Sequence, residues 1–304
     1  MALLKKPRVY FNGKIVPEDR ARVSVLDRGF NYGDGLFETM KACRGRPVFL
    51  DEHTARLRAG AGALGFSPRS LDPLFEDIRD GVIEKLLARN GLLKTDAHVR
   101  ITVTRGIGGS GHTPPKDLRP TTVIVARGID PGPIEVLRKR GVRAVALEGP
   151  LPAIAGIKTL NFLPNVLGKA RALREGAFEG IFTDPDGHVT EGTSTNVFMV
   201  TGDVVATHPA GPPASSGVLA GVTRGLAMEL AGAEGFRVIE RAFTADELAG
   251  GDEAFLTNSI LGVLPLVKID SRKVGSGAPG PTTRLLQRLL ARRARRRGLA
   301  TGRD

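Results

Sequence analysis

The sequence predicts an α+β fold in which groups of antiparallel strands alternate with helices. Its 304 residues, 41% hydrophobic and 25% charged, have the composition of a globular protein of one or two domains. The stretch RVYFNGKIV predicts two strands around Asn12-Gly13, the strongest short hairpin signal. Further strand-like runs occur in groups, and segments with the periodicity of helices separate them. These observations favour antiparallel sheets with helices between them.

The first half of the chain predicts a small N-terminal domain, residues 1–127. One helix is expected from Asp51, a suitable N-cap, and a second helix is expected over residues 71–91. AHVRITVTRG and TTVIVARG then predict two strands, with the glycine- and proline-rich IGGSGHTPPKDLRP between them. GIDPGP follows, and we place an interdomain linker at residues 128–134.

The second half predicts a larger domain, residues 135–283, that is rich in antiparallel strands. GVRAVALEG predicts a strand, and LPNVLGKARALREG predicts a helix that ends at its final glycine. EGIFTDPDGHVTEGTSTNVFMVTGDVVAT predicts strands around Asp-Pro-Asp-Gly and Thr-Gly-Asp turns. GVLAGVTRGLAMELAG predicts a glycine-flanked turn before a helix, and DEAFLTNSILGVLPLVKID predicts two more strands.

The C-terminal tail, residues 284–304, holds eight arginines and one aspartate, so it contributes +7 to the net charge of +12. One interpretation is binding to nucleic acid or to an anionic surface. The other is the solvated face of a terminal helix, because four leucines recur at helical spacing: Leu285, Leu286, Leu289 and Leu290. With two tyrosines, no tryptophan and no recognition-helix pattern, the second is favoured, and we predict no nucleic-acid partner.

Cysteine usage and hydropathy indicate a cytoplasmic protein. Cys43 is the only cysteine, which excludes an intrachain disulfide and argues against thiolate metal sites. The chain has no long apolar run, and its start, MALLKKPRVY, lacks the apolar core of a signal peptide. The five histidines show no zinc-binding spacing, and DPDGH suits a hairpin turn better than a calcium loop. We therefore predict no metal and no membrane association.

Three features of the second half could carry chemistry. Lys158 follows an apolar approach, and a lysine in such a setting can become a nucleophilic amine. Glu191 precedes a strand, and a carboxylate there could hold a pyridine nitrogen protonated. The Gly217–Thr223 turn leads into a helix, whose N-terminus suits a phosphate. Pyridoxal 5′-phosphate needs all three groups. Each feature alone, however, is better explained by a surface lysine, a turn residue or ordinary helix capping.

Six motifs, in their order and spacing, resemble the class IV aminotransferases. They are DRGFNYGDGLFET, DEHTARL, IKTLNFLPNVLGKA, DPDGHVTEGTSTNVF, GVLAGVTRGLA and EAFLTNSILGVLPLVKID. This family of fold-type IV pyridoxal-phosphate enzymes includes branched-chain aminotransferases, D-amino-acid aminotransferases and aminodeoxychorismate lyases. The resemblance implies a two-domain fold like that of D-amino-acid aminotransferase, a pyridoxal 5′-phosphate cofactor and a homodimer.

The resemblance also implies roles for individual residues. Lys158 resembles the catalytic lysine that binds the cofactor covalently and moves the proton of the substrate α-carbon. Glu191 resembles the carboxylate that pairs with the pyridine nitrogen. The remaining cofactor-binding residues would hold the phosphate: Arg56, Val222, Thr223 and Ser259. The substrate pocket would include Phe37, His112 and Asn258.

The expected reaction is amino transfer between an amino acid and a 2-oxo acid, with D-amino acids among the candidate substrates. The alternative is a 4-amino-4-deoxychorismate lyase that releases pyruvate and 4-aminobenzoate. A remote alternative is a non-catalytic binding protein that uses the arginine-rich tail. Phe162 stands where branched-chain enzymes usually carry tyrosine, and Ser110 stands where D-amino-acid enzymes carry a carboxylate-binding arginine. The sequence thus lies between the named subfamilies.

Overall fold

The computed structural model describes residues 6–108, 111–114, 119–149, 153–211 and 217–299. By its internal contacts the chain divides into two compact units. The first unit holds the chain up to Ile129, together with Lys158–Asn161 and the chain from Arg295. The second unit holds Asp130–Ile157 and Phe162–Ala294.

The first unit is built on an antiparallel sheet with the strand order β2-β1-β6-β5-β3-β4. Its strands are β1 (Arg8–Phe11), β2 (Lys14–Pro17), β3 (Gly35–Cys43), β4 (Arg46–Pro47), β5 (Ala97–Thr104) and β6 (Thr121–Gly128). Its helices are α1 (Arg28–Tyr32), α2 (Leu50–Ala63), α3 (Asp72–Arg79) and α4 (Val82–Arg89). Buried residues alternate along most of β5, as expected for a strand with one face on a core.

Two predictions for this unit were wrong. The helix predicted over residues 71–91 is two helices, because Gly81 has a φ of 78°, outside the range of an α-helix. Helix α2 has Phe49 as its N-cap, so the predicted N-cap Asp51 lies in the first helical turn instead. Its negative charge there interacts favourably with the positive end of the helix dipole. The Asn12-Gly13 hairpin is confirmed, with both residues at the positive φ that a type I′ turn requires.

The second unit is built on a mixed sheet with the strand order β12-β11-β10-β13-β14-β7-β8-β9, and β15 pairs with β14. Its strands are β7 (Val142–Leu147), β8 (Glu179–Thr183), β9 (Val189–Gly192), β10 (Asn196–Thr201), β11 (Val204–Thr207), β12 (Arg237–Glu240), β13 (Glu253–Asn258), β14 (Gly262–Ile269) and β15 (Arg272–Lys273). The helices that begin in it are α5 (Pro131–Arg140), α6 (Leu163–Arg174), α7 (Val222–Ala233), α8 (Ala245–Gly250) and α9 (Pro281–Leu299).

The sheet of the second unit closes on itself. β9 pairs with β10 as well as with β8, so the strands β10-β13-β14-β7-β8-β9 form a ring. β7 runs parallel to β8 and β14, whereas the other pairings within the ring are antiparallel. Apolar side chains from four of these strands and from α8 form a buried core: Ala144, Met199, Leu248, Leu256 and Leu264. The antiparallel-rich α+β architecture is the predicted one.

The segment predicted as a linker, residues 128–134, is mostly helix. β6 ends at Gly128 and α5 begins at Pro131. Proline is favoured at the first helical position because the N–H that it lacks would have no intrahelical partner there. Asp130 caps the helix by accepting the Gly132 N–H at 3.0 Å. Only two residues therefore separate β6 from α5.

The basic tail belongs to α9, which begins at Pro281, three residues earlier than predicted. The Glu253 carboxylate accepts the N–H groups of the first helical turn at 2.8 Å and so caps the helix. Leu286 and Leu290 are buried while Arg292 is exposed, which confirms a terminal helix with one apolar face. The last five residues lie outside the described part of the chain. Among the described residues, no helix has both the length and the apolar character needed to cross a bilayer.

Candidate functional site

Lys158 lies on a short extended segment that adds to the sheet of the first unit. The segment 158–160 pairs with the start of β3, where the Phe37 N–H donates to the Lys158 carbonyl at 2.9 Å. The Leu160 N–H donates to the Gly35 carbonyl, also at 2.9 Å. The sheet therefore fixes the backbone of the predicted catalytic lysine.

The Phe37 ring contacts two cations. The Lys158 Nζ lies 4.5 Å from the ring centroid, and the Arg100 guanidinium carbon lies 3.8 Å from it. Phe37 itself is buried, so these cation–π contacts form in a largely desolvated place, where each is worth up to about 2 kcal/mol. The structure thus brings together the predicted residues Lys158 and Phe37.

Arg100 was not singled out by the sequence. It lies on β5, and burial alone lowers the pKa of its guanidinium below the ordinary 12.5. Among the described residues no carboxylate pairs with it. The one signal in the sequence is an arginine between apolar residues of a strand, which many structural arginines share.

Arg56, a predicted phosphate-binding residue on α2, is held by a buried carboxylate. Glu38 of β3 accepts the Arg56 Nε at 2.7 Å and the Arg56 Nη2 at 2.8 Å, one on each oxygen. The His53 Nδ1 lies 2.7 Å from the Glu38 Oε2. A two-pronged contact fixes the plane of a guanidinium. Glu38 and His53, which the sequence did not reveal, therefore position Arg56.

Charge in this cluster follows from its contacts. Burial would raise the pKa of the Glu38 carboxyl, but hydrogen bonds and charge from Arg56, and then from His53, lower it to about 2. Burial lowers the pKa of the His53 imidazole below its ordinary 6.5, and Glu38 offsets this only in part. The charges of Arg56 and Lys158 lower it further. At neutral pH, Glu38 is therefore an anion and His53 is neutral.

Replacing Glu38 with glutamine is expected to cost about 3 kcal/mol at pH 7, because a pKa lowered from 4.5 to about 2 represents stability of that size. This contribution is fully present above pH 4.5 and is lost as the pH falls towards 2. Denaturant unfolding of wild type and Glu38→Gln at pH 7, 4 and 3 should therefore give curves that converge in acid. Glu76→Gln, an exposed change on α3, is the control. A difference that stays constant with pH would contradict the assignment.

Glu191 stands where the ring of strands in the second unit closes. β9 pairs with β10 through Glu191 and Asn196. The Glu191 carboxylate is buried, and its Oε2 accepts the Leu219 N–H at 2.8 Å and the Asn196 Nδ2 at 3.4 Å. The Asn196 Nδ2 also donates to the Leu219 carbonyl at 2.9 Å. Asn196, another residue that the sequence did not single out, thus fixes Glu191 to the turn before α7.

The start of α7 presents backbone donors. α7 begins at Val222 behind Gly221, and no side chain of the described residues caps it. The N–H groups of a first helical turn have no intrahelical partner, and the helix dipole adds positive potential there. Gly221 lies so close to Asn196 that a Cβ would lie 2.1 Å from the Asn196 Oδ1. The predicted pair Val222 and Thr223 therefore stands on a turn with a closely fixed backbone.

Glu179 organises the loop between β9 and β10. Its carboxylate is fully buried and accepts hydrogen bonds from three hydroxyl groups of that loop, those of Thr193, Ser194 and Thr195. The last two lie at 3.1 Å. The Lys169 Nζ approaches to 4.0 Å. This loop joins β9, which carries Glu191, to β10, which carries Asn196. By fixing the loop, Glu179 stabilises the positions of both residues.

Asn258 closes the turn at the end of β13. Its Oδ1 accepts the N–H groups of Ile260 and Leu261 at 3.0 and 2.7 Å, and its Nδ2 donates to the Ser194 carbonyl at 3.4 Å. Ser259 is half-buried in the same turn. The Asn258 amide thus stabilises the turn. A contact between Asn258 and a substrate would have to form in addition to these hydrogen bonds.

His112 is exposed on the loop after β5. Its carbonyl accepts the Arg28 Nη2 at 2.9 Å, and its ring centroid lies 6.0 Å from that of Tyr32. Arg28 is buried and is itself held by Asp34 at 2.8 Å. Ser110, the other residue of interest on this loop, lies outside the described residues. The position of His112 therefore depends on Arg28.

The Asp184–His188 stretch forms the predicted hairpin turn between β8 and β9. The Asp184 Oδ1 accepts the N–H groups of Asp186 and His188 at 3.0 and 2.8 Å. Ligand atoms of these three residues lie within 4.8 Å of one another. The hydrogen bonds explain this clustering as turn formation.

Each unit, taken by itself, holds groups of kinds that pyridoxal 5′-phosphate requires. A lysine amine suits its aldehyde, and a buried carboxylate suits its ring nitrogen. In the first unit the guanidinium of Arg56 is a group that can bind a phosphate. In the second unit the uncapped amides of α7 are groups of the same kind. Each kind of group is held by contacts within its own unit.

Comparison with known proteins agrees with this chemistry. A family model described as amino-transferase class IV matches residues 35–269. The chain is 35% identical over 284 residues to a Methanocaldococcus jannaschii protein with a provisional name as a branched-chain-amino-acid aminotransferase, covering 92% of this chain and 94% of that protein. It is 34% identical over 284 residues to the D-alanine aminotransferase of Bacillus licheniformis, covering 93% and 95%.

Solved structures give the same picture. The branched-chain amino acid aminotransferase of Escherichia coli superposes with a TM-score of 0.80 at 28% identity, covering 93% of this chain and 92% of that chain. The branched-chain amino acid aminotransferase of T.th., solved with pyridoxamine 5′-phosphate, gives a TM-score of 0.81 at 28% identity, covering 97% and 96%. The similarity therefore extends over almost the whole length of the chain.

Proposed function

The chain belongs to the class IV aminotransferase family, and from this membership we propose how its own residues carry out the reaction. It is a pyridoxal-phosphate-dependent aminotransferase that moves an amino group between an amino acid and a 2-oxo acid. When bound, pyridoxal phosphate supplies an aldehyde that captures the amino group and a ring that takes up electrons.

Lys158 is proposed as the catalytic residue, and the contact of its Nζ with the Phe37 ring is the observation that carries the proposal. This contact holds the amine at a fixed place beside Phe37, and a lysine amine in its neutral form is a nucleophile and a base. The Lys158 Nζ would bind the cofactor covalently and would remove and return the proton at the substrate α-carbon.

The other predicted residues are proposed to hold the cofactor and the substrate. Glu191 would keep the ring nitrogen protonated, since its carboxylate is buried and fixed by Leu219. The proposed phosphate contacts are Arg56, Val222, Thr223 and Ser259. The proposed lining of the substrate pocket is Phe37, His112 and Asn258.

A paired assay tests the reaction. One arm supplies D- and L-amino acids with 2-oxoglutarate or pyruvate, and the other supplies aminodeoxychorismate alone. We expect a new amino acid in the first arm and no aminobenzoate in the second, because the relatives named above are aminotransferases. Aminobenzoate and pyruvate in the second arm would overturn the proposal. The first arm also decides between D- and L-amino acids, and the Bacillus licheniformis relative is a D-alanine aminotransferase.

Arg100 is proposed to bind a substrate carboxylate, since it shares the Phe37 ring with Lys158 and has no described carboxylate partner. Arg100→Gln is expected to lower kcat/KM roughly tenfold to a hundredfold, the size of a lost charge-assisted hydrogen bond. Most of the loss should fall on KM. Steady-state kinetics is the measurement, and Arg100→Lys should recover only part of the loss. Unchanged kinetics in Arg100→Gln would remove Arg100 from the site.

A homodimer is also proposed, and an exposed apolar patch supports it. Val25, Leu26 and Phe30 are 73%, 59% and 73% exposed, and Ile107 is 56% exposed. The backbone bridge from Asp27 to Ile107 brings these residues to one surface. Contiguous exposed apolar groups are typical of protein–protein contacts.

A cytoplasmic location is also proposed. It is supported by the single cysteine of the chain, since proteins of reducing compartments rarely rely on disulfides.

Phe30→Glu is expected to weaken the dimer by about 2 kcal/mol or more at each of the two symmetric positions, because it places a charge in an apolar interface. Light scattering should give twice 32.3 kDa for the wild type and a shift towards 32.3 kDa for the variant. Val136→Glu on α5, at a site that is also exposed, is the matched control. A monomeric wild type would refute the dimer, and an unaffected dimer in Phe30→Glu would refute this patch.

A further inference from the structure

The first unit contains a cleft of about 610 Å³. None of the residues proposed above for catalysis, cofactor binding or substrate binding lines it. The cleft is formed by the start of β1, the end of α4 with the turn after it, and the end of β6. Small-molecule sites typically span about 300–1,000 Å³. The cleft is therefore large enough for an organic ligand of nucleotide size.

The cleft exists because β1 and β6 diverge. They pair at two positions, the outer of which joins Tyr10 to Ile124, whereas β6 continues to Gly128. Asn90 replaces the missing strand at Arg8, where its Oδ1 accepts the Arg8 N–H at 2.8 Å and its Nδ2 donates to the Arg8 carbonyl at 2.9 Å. In the described part of the chain, no strand pairs with β6 on this side beyond Ile124. The open edge leaves backbone groups available to a ligand.

The walls of the cleft are mainly cationic. Four basic residues line it against one acidic residue: Lys6, Arg8, Arg89 and Arg127, and Glu18. Arg8 and Arg89 form no ion pair with any described residue. Lys6 and Arg127 pair with acids only at the exposed surface, and such pairs exchange easily with a stronger anion. Arginine can bind phosphate with two parallel hydrogen bonds.

The floor of the cleft is apolar. Val9 and Ala126 are buried there, and Leu92 and Val125 lie beside them. A ligand that matches the whole lining therefore carries both an apolar ring and anionic groups. An inorganic anion would match only the walls.

The end of α4 does not oppose an anion in this place. The last carbonyls of a helix carry negative potential. Here the backbone N–H groups of Asn90, Gly91 and Leu92 donate to carbonyls of the last turn at 2.9–3.1 Å. Gly91 has the positive φ of 72° that this capping arrangement uses. The carbonyls are thus occupied, and Arg89 at the helix end is left to contact a ligand.

We propose that this cleft binds a nucleotide-like anion, with its phosphates on Arg8 and Arg89 and its ring on the Val9 and Ala126 floor. This site is independent of the aminotransferase site, since no residue proposed for catalysis lines it. Its occupancy would report on the supply of phosphorylated metabolites rather than on the amino-acid substrate.

Isothermal titration of the holoenzyme tests the proposal, with free pyridoxal phosphate removed because it is itself an aromatic phosphate. The probes are magnesium-free ATP, adenosine and inorganic triphosphate. We expect saturable binding of ATP, at least roughly tenfold tighter than that of either part, because only ATP uses both walls and floor. The double variant Arg8→Gln/Arg89→Gln should weaken ATP binding at least roughly tenfold. Arg79→Gln, an exposed arginine on α3 outside the cleft, should leave it unchanged.

Three outcomes would overturn the proposal. The first is no saturable ATP binding, and the second is unchanged binding in the double variant. The third is triphosphate binding as tight as that of ATP, because the apolar floor would then contribute nothing. Transamination by the double variant should stay at the wild-type level, so a loss of activity in the catalytic variants and a loss of ATP binding remain separate results.

Discussion

Lys158→Ala is expected to abolish transamination, with kcat lower by at least about 10⁴-fold, because the chain loses its proposed nucleophile and its proposed base in one change. The fold should survive, since the backbone bonds of Lys158 to β3 do not involve the side chain. Borohydride treatment followed by mass spectrometry of the peptide that contains residue 158 is the direct measurement. The wild type should carry the reduced cofactor on this peptide, and the variant should not.

Two further variants isolate the chemistry of Lys158. Lys158→Arg keeps a cation beside Phe37 and near His53, but a guanidinium stays protonated and can act neither as nucleophile nor as base. It should therefore be as inactive as Lys158→Ala. Lys139→Ala, an exposed change on α5, should behave as the wild type. Cofactor fixed to the chain in Lys158→Ala, or turnover near the wild-type level, would show that the lysine has been misassigned.

Glu191→Gln is expected to retain pyridoxal phosphate but to slow the chemical step roughly 10²–10³-fold, as when one buried electrostatic contact to a reacting group is lost. A glutamine oxygen can still accept the Leu219 N–H that Glu191 accepts at 2.8 Å, so the turn should persist. A neutral amide cannot, however, hold the ring nitrogen in its protonated form. Single-turnover kinetics should show the slow step, and equilibrium dialysis should show retained cofactor.

The control for this change is Glu234→Gln, which removes an exposed carboxylate just after α7 in the same unit. It should affect neither rate nor cofactor affinity. If Glu191→Gln turned over as fast as the wild type, Glu191 would have no part in the chemistry. If it released the cofactor entirely, Glu191 would be an anchor rather than an electronic partner.

The sequence predicted elements best where a local signal was strong. Asn12-Gly13 requires a positive φ at both residues, and the structure has it. The helices α6 and α7 were predicted because apolar periodicity and flanking glycines coincide there. By contrast, β3 (Gly35–Cys43) lacks strict alternation, since it is buried on both faces for half its length, and it was not predicted as a strand. Gly81 ended a helix that its flanking periodicity would have continued.

The site residues divide in the same way. Lys158 and Glu191 could be proposed as site residues from the sequence because family motifs carry them at fixed positions. Glu38, Arg100 and Asn196 could not, because their importance lies in contacts between distant parts of the chain, such as Glu38 with Arg56 eighteen residues later. A buried carboxylate looks in a sequence like any other carboxylate. Only packing shows which one holds a functional cation in place.

The closure of the second unit's sheet has a thermodynamic consequence. The ring of strands is completed by a single residue pair, Asn196 with Glu191, and Glu191 is also the residue proposed to contact the cofactor's pyridine ring. A ligand that binds Glu191 therefore also stabilises the pairing of β9 with β10. By linkage, each tenfold rise in ligand concentration above its Kd adds about 1.4 kcal/mol to the free energy of unfolding. Hydrogen exchange of the amides in β9 and β10 should therefore slow as the cofactor binds, because the pairing of these two strands opens less often.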